Sequence, residues 1–345
     1  ALCLSQLSYI DFSDLVDSSF SKKITLAELT DSFFKTENLE KRLDMGIFIN
    51  TKTPDFLLAC AKSKRFENIK LCGFREIINK EQNIQFTVVT FVYEKTNYIV
   101  FRGTDDSVIG WREDFTLAYS DELPSHKEAL NYFSDALDSL NKDFILIGHS
   151  KGANVAINTS VKCTPKQQKR IRFVYNFDGP GFPESFYKSF SYVAISKRIL
   201  SFYPKYAVVG TILTSPTNYS IVSSSRTGIM QHDILSWQIT PTDFDYTDDF
   251  AEHSYIIKKS LNEWLESYSS DDKYQFVNAL FEVIEASDAK TLSEIDKNKI
   301  SSTTKMIAKF SSLEKNTKKE VSHMFLELGK LIQSELSFFK IFTLD

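Results

Sequence analysis

Two rhythms of hydrophobic and polar positions run along the chain, and the places where one gives way to the other outline its architecture. Residues 1–80 read as short helices and loops. Within them Thr53-Pro54 has the signature of a helix start, an N-cap followed by proline at the first helical position, opening a helix through about Lys62. The character changes near Ile84. Residues 85–93 (QFTVVTFVY) are rich in β-branched and aromatic side chains, and residues 97–101 (NYIVF) follow after a short turn, so both are predicted strands. A helix is predicted from about Ser125 to Leu140. Residues 144–147 are wholly apolar and lead into Gly148, as suits a parallel strand buried on both faces. Residues 151–162 have a helical pattern, residues 172–177 read as a further strand, and residues 219–222 as an edge strand. Strands alternating with helices predict an α/β fold with a mostly parallel sheet flanked by helices.

From about Asp249 the pattern is helical. Ile257, Leu261, Trp264 and Tyr268 share one helical face; Phe276, Leu280 and Ile284 form a second stripe; Val321, Phe325, Leu328 and Ile332 form a third. All three are read as core-facing. The expected organisation is a helical N-terminal block over 1–80 packed on the core, an α/β core over 81–248, and a helical C-terminal extension over 249–345.

Composition narrows the function. A chain of 345 residues with 42% hydrophobic content can bury a sizeable core, and its 29 phenylalanines fill that core, line an apolar pocket, or both. The charge balance of 41 basic against 45 acidic residues argues against nucleic acid as a general partner, because phosphate binding needs a basic face. Lys315, Lys318 and Lys319 are read as a solvated helix face. Cys3, Cys60, Cys72 and Cys163 are scattered, with no CxxC pair and no Cys/His spacing suited to a metal. Neither a secretory leader pattern nor an apolar run of the roughly 18–20 residues a membrane span needs is present, so a reduced, cytoplasmic protein without a transmembrane segment is expected.

Candidate chemistry concentrates at residues 144–156, FILIGHSKGANVA. Gly148-His149-Ser150-Lys151-Gly152 fits G-x-S-x-G, with an apolar strand before it and a helix after it. A serine on so sharp a turn needs very small flanking residues to clear the strand and helix, and the helix dipole favours developing negative charge. A chance Gly-Ser turn is the alternative; in a chain with only 11 glycines the two flanking ones speak against it. Ser150 is therefore the expected nucleophile of an α/β-hydrolase-type serine hydrolase, with the backbone N–H of Lys151 as one oxyanion donor.

A second segment, residues 98–115 (YIVFRGTDDSVIGWREDF), places Arg102-Gly103-Thr104 at a strand end. VFRGT, followed by a tryptophan-containing turn and an aspartate, resembles the class 3, or fungal-type, lipases. That resemblance implies Thr104 as the other oxyanion donor, and a loop-holding part for Trp111 and Asp114. The pattern is closer still to an uncharacterised bacterial lipase-like branch with GHSKG at the elbow, an FDGPGF-like segment and a later QHD, here at residues 148–152, 177–182 and 231–233. The resemblance spans roughly residues 80–240.

A catalytic triad in this fold runs in the order serine, acid, histidine. His232, His253 and His323 follow Ser150. His232 sits after a late strand, where the fold delivers a base to the top of the sheet; a structural histidine is the alternative, and His253 is the runner-up. His149 is expected to point away from Ser150 and to pack. Asp178 ends the strand 172–177 and opens a Gly-Pro-Gly turn, so its carboxyl should emerge beside the elbow. The alternative for Asp178 is an Asx-turn residue stabilising that loop, and Asp233 is the other candidate acid. Here the chain departs from the class 3 pattern, which carries its acid after the next strand; residues 201–206 (SFYPKY) hold no carboxylate.

These residues predict a carboxylic ester hydrolase working through an acyl-enzyme, with no metal or organic cofactor, and the lipase resemblance points to acyl esters or lipids as substrates. Residues 182–190 (FPESFYKSF) suit either a lid and acyl-pocket wall or the core. Lys151 beside the nucleophile suggests a substrate with an anionic group. The competing reading is a degenerate lipase-like scaffold kept for binding a ligand or protein.

Overall fold

The computed structural model describes residues 1–216 and 218–342, with side chains through residue 330. Nine strands form one sheet in strict chain order: β1 (Ile24–Thr25), β2 (Lys70–Asn79), β3 (Ile84–Tyr93), β4 (Thr96–Phe101), β5 (Asp143–His149), β6 (Ile171–Phe177), β7 (Ile199–Pro204), β8 (Tyr219–Val222) and β9 (Tyr246–Thr247). β4 to β8 run parallel; the strands outside them pair antiparallel. Helices α1 (Leu2–Leu7), α2 (Leu26–Phe33), α3 (Leu39–Leu43) and α4 (Thr53–Lys62) surround β1 and precede β2. Between β4 and β7 come α5 (Val108–Phe115), α6 (Pro124–Ser139), α7 (Lys151–Lys162), α8 (Pro165–Gln168), α9 (Glu184–Tyr187) and α10 (Phe190–Ile195). After β9 follow α11 (Glu252–Glu266), α12 (Ser270–Glu285), α13 (Leu292–Lys297), α14 (Lys299–Ser312) and α15 (Lys315–Phe342).

Chain-order strands have a consequence for layering. Parallel crossovers are right-handed, so successive steps in one direction put the connecting helices on one face. Ala129, Tyr132 and Phe133 of α6, Val155, Ile157 and Val161 of α7 and Ile195 of α10 share one core with Phe86, Val88, Ile99, Phe144 and Leu146. Among the described residues no crossover helix packs on the other face, and the N-terminal residues cover it together with Ile234 and Trp237. Leu4, Leu7, Leu26, Leu29, Phe33 and Leu57 pack there on Val89, Phe91, Val100, Ile145 and Ile147. β5 thus divides its apolar run between two cores, as expected of a strand buried on both faces.

Three details differ from the sequence reading. β2 lies in a stretch read as helix and loop: a register shift between Cys72 and Arg75 breaks its alternation, leaving Leu71, Cys72, Gly73 and Phe74 buried in succession. β8 is not the edge, because β9 pairs outside it. The C-terminal helices pack on one another and on α5, where Val108, Trp111 and Phe115 meet Trp264, Phe276, Leu280, Phe281 and Val321. In α15 Val321 and Leu328 join this cluster as expected, but Met324 is buried in place of Phe325, which is 53% exposed; Ile332 lies outside the described side chains. Among the described residues no helix is long and apolar enough to cross a membrane.

Candidate active site

Ser150 stands between β5 and α7 with φ 56° and ψ −133°, a backbone state that costs a non-glycine residue about 1–3 kcal/mol. Its neighbours explain how the turn closes. A Cβ on Gly148 would lie 2.1 Å from the Gly152 backbone, and one on Gly152 would lie 2.1 Å from the Phe101 carbonyl oxygen. The Ser150 N–H donates to the Phe177 carbonyl at 3.0 Å, tying the elbow to the end of β6.

Asp178 follows directly, in left-handed conformation (φ 51°) that aspartate tolerates better than most residues. Its buried carboxylate accepts from His232 Nδ1 at 2.6 Å through Oδ2 and from the Gly210 N–H at 3.1 Å through Oδ1. His232 ends a short 3-10 turn, Gly228–His232, that Gln231 secures: its Oε1 accepts from the Tyr206 N–H at 2.8 Å, and its Nε2 donates to the Arg226 carbonyl at 2.8 Å. Asp233 faces elsewhere, accepting from Asn50 Nδ2 at 2.7 Å and the Leu235 N–H at 3.0 Å. The structure therefore brings Asp178, not Asp233, to His232.

His149 packs, as expected of it. Its ring lies 4.4 Å from that of His232, centroid to centroid. Its Nε2 donates to the His232 carbonyl at 2.9 Å, which leaves Nδ1 to accept from the Tyr9 hydroxyl at 2.8 Å. Burial, and then the neighbouring His232, hold His149 well below the ordinary histidine range, so it stays neutral. His253 lies in α11 with its ring 6.3 Å from that of Tyr206, and His323 is exposed beside Glu327.

On the other side of the elbow, Arg102 leaves β4 and donates to Glu76 at 2.8 Å and Asp105 at 3.2 Å. Thr104 Oγ1 donates to Asp114 Oδ2 at 2.6 Å, and Trp111 packs its ring 4.7 Å from that of Phe48. Burial pushes the Asp114 carboxyl up to about 6, against the pull of Lys151 and the Thr104 bond.

The Lys151 side chain turns inward, which corrects the expectation that it meets an anionic substrate group. Its Nζ donates to the Gln85 carbonyl (2.8 Å), Gln85 Oε1 (2.7 Å) and Glu113 Oε2 (2.8 Å), with all its donors engaged inside the protein. The Lys151 and Glu113 side chains are 2% and 0% exposed. Glu113, Gln85 and Tyr9 were not singled out from sequence. The available signal was a lysine opening a helix that is otherwise made for the interior, which calls for a buried counter-ion.

Of the aromatic run 182–190, Phe182 and Phe186 stack at 3.9 Å within the α7-side core, whereas Phe190 is 87% exposed. Around the elbow, the Asn50–Asp233 bond joins the loop bearing Ile47 and Phe48 to the turn bearing Ile229 and Met230, and all four side chains are exposed.

A nine-stranded, mostly parallel sheet between helical layers, with a strained serine at a strand-to-helix turn, is an α/β-hydrolase-type fold. The chain belongs to the Mbeg1-like family, whose model matches residues 60–282. Similar solved structures include a fungal lipase described for its unusual buried polar cluster, 11% identical with a TM-score of 0.42 over 72% of this chain and 84% of that one. A form of MDLA from Penicillium cyclopium is 10% identical with a TM-score of 0.40, over 72% and 83% of the two chains. The triacylglyceride lipase of Rhizomucor miehei is 14% identical with a TM-score of 0.37, over 65% and 78%. Comparison with curated proteins gave no match.

Proposed function

We propose that this protein is a serine hydrolase that cleaves a carboxylic ester through an acyl-enzyme on Ser150. His232 takes the Ser150 proton as Oγ attacks the carbonyl and returns it to the leaving alcohol; Asp178 holds the Nδ1–H tautomer and stabilises the imidazolium. Water, deprotonated by the same histidine, then releases the acid. The backbone N–H groups of Lys151 and Thr104 bind the tetrahedral oxyanion. Because the Thr104 hydroxyl donates to Asp114, its amide is left as the donor. No metal or organic cofactor enters any step.

The observation that carries this reading is the 2.6 Å contact between His232 Nδ1 and buried Asp178, adjoining a serine held in strained backbone. Strain and a buried charge both cost stability, and a binding scaffold has no use for the pair. The exposed Ile229 and Met230 of the turn that carries His232, tied through Asp233 and Asn50 to the loop of exposed Ile47 and Phe48, favour a substrate with an acyl chain.

Fluorophosphonate treatment followed by mass spectrometry tests it. The parent should label at Ser150; Ser150→Ala and His232→Ala should lose labelling, and Asp178→Asn should slow it by roughly a thousandfold or more. Labelling that survives Asp178→Asn moves the acid elsewhere. A folded parent that never labels near neutral pH sinks the hydrolase reading and leaves the binding scaffold.

A further inference from the structure

The two oxyanion donors sit on separate pieces of the fold: the Lys151 amide begins α7, and the Thr104 amide lies in the loop between β4 and α5. What fixes their spacing is not the local chain of either one. Two adjacent carboxylates of α5 each grip one donor residue by its side chain. Glu113 Oε2 accepts from Lys151 Nζ at 2.8 Å, and Asp114 Oδ2 accepts from Thr104 Oγ1 at 2.6 Å. Glu113 is itself immobilised, because Oε2 also accepts from the Gln85 N–H at 2.9 Å and Oε1 from the Ser125 N–H at 2.8 Å. Gln85 supplies the remaining acceptors of the ammonium from β3. One buried charge pair thus joins β3, α5, the start of α6 and the elbow.

We propose that the Lys151–Glu113 ion pair is a strut that sets the separation of the two oxyanion donors, making the Lys151 side chain and Glu113 positioning residues of the hydrolysis. This rests on the serine-hydrolase reading above. Stability alone does not account for the pair, since a well-packed apolar pair of similar volume is often at least as stable as a buried salt bridge. Geometry does. A lysine in the first turn of α7 has its amide in the site and its ammonium in the scaffold, so a fixed ammonium also fixes the amide. Donors must meet the developing oxyanion at hydrogen-bond distance, and displacement by about 1 Å costs on the order of a hundredfold in rate.

The test compares the parent with Lys151→Met, Glu113→Gln and the charge-balanced double variant Lys151→Met/Glu113→Gln. Turnover is followed on a short-chain nitrophenyl ester and its thiono analogue, whose sulfur draws weakly on hydrogen-bond donors. In the double variant the NH2 group that replaces one Glu113 carboxylate oxygen leaves the Gln85 or the Ser125 amide without an acceptor, so the variant should fold with a Tm lowered by a few degrees and keep its KM. Its kcat on the ester should fall roughly ten- to a hundredfold, with a smaller loss on the thiono ester. Parental kcat in the folded double variant overturns the strut, as does an equal loss on both substrates. Should the double variant not fold, Gln85→Met keeps the pair but removes one acceptor; a several-fold kcat loss biased toward the ester supports the strut, and parental kinetics overturn it. A parent without turnover or Ser150 labelling fails at the hydrolase reading instead, so the two failures are distinct.

Discussion

His126 and His149 are both buried, and each commits its two ring nitrogens to fixed partners. His126 accepts from the Leu123 N–H at 3.1 Å and donates to Asn154 Oδ1 at 2.8 Å, and burial lowers its pKa to about 4. The unfolded chain takes up this proton near pH 6.5, whereas the folded one resists until about pH 4. The stability this residue contributes is therefore complete above pH 6.5 and is lost as pH falls toward 4, by about 3 kcal/mol for His126 alone. Denaturant unfolding at pH 7 and pH 4 should show a correspondingly smaller acid loss for His126→Gln than for the parent. An identical loss in both would contradict the assignment. At this scale the places of Ser150 and Asp178 were legible because each directly follows a strand, and that of His232 because Gly228 opens the turn that carries it after β8. The Lys151–Glu113 pairing was not. Its partners are 38 positions apart, and helix phase alone decides which of Glu113 and Asp114 faces the ammonium.

α5 and the loop before it are fastened from both ends of the chain. Asp106 accepts from the Ile47 N–H at 3.4 Å and the Ser293 N–H at 3.0 Å, and its carbonyl accepts from the Leu292 N–H at 3.0 Å. Arg112 reaches α12, donating to Glu285 at 2.7 Å and Asn278 at 3.0 Å. Asp106→Ala should leave the Ile47 amide and the buried Ser293 amide without their acceptor, cost about 1–3 kcal/mol in denaturant unfolding, and speed hydrogen exchange at Ile47 and Ser293. Unchanged exchange at both would mean that other contacts hold these segments. The elements around this loop were read unevenly from sequence. β3, β4 and β5 are long enough, and apolar enough, to declare themselves. β2 hides behind its bulge, and in α15 the stripe found the face through Val321 and Leu328 but took Phe325 for a core position that Met324 fills.

The whole molecule is three layers, and the middle one depends on segments far from it in sequence. Leu29 of α2 is fully buried against the face that the crossover helices leave open. Leu29→Ala should cost about 2–5 kcal/mol in denaturant unfolding, as for a core residue; a loss below about 1 kcal/mol would mark the N-terminal layer as loosely attached. The sequence pointed to a helical N-terminal block on the core but not to the face it covers, because its helices are short and the rule that assigns them a face comes from the sheet's topology.

The chain-order sheet also sets a timetable. α1, α2 and α4 leave the ribosome before the strands they cover, and Ile145, Ile147 and Phe177 of their core follow more than 80 residues behind Leu57. Until β5 and β6 arrive, these apolar helices have only the β2–β4 part of their surface to shelter on. An arrest at that stage would therefore strand an aggregation-prone form of this protein, with the helices made and their sheet half built.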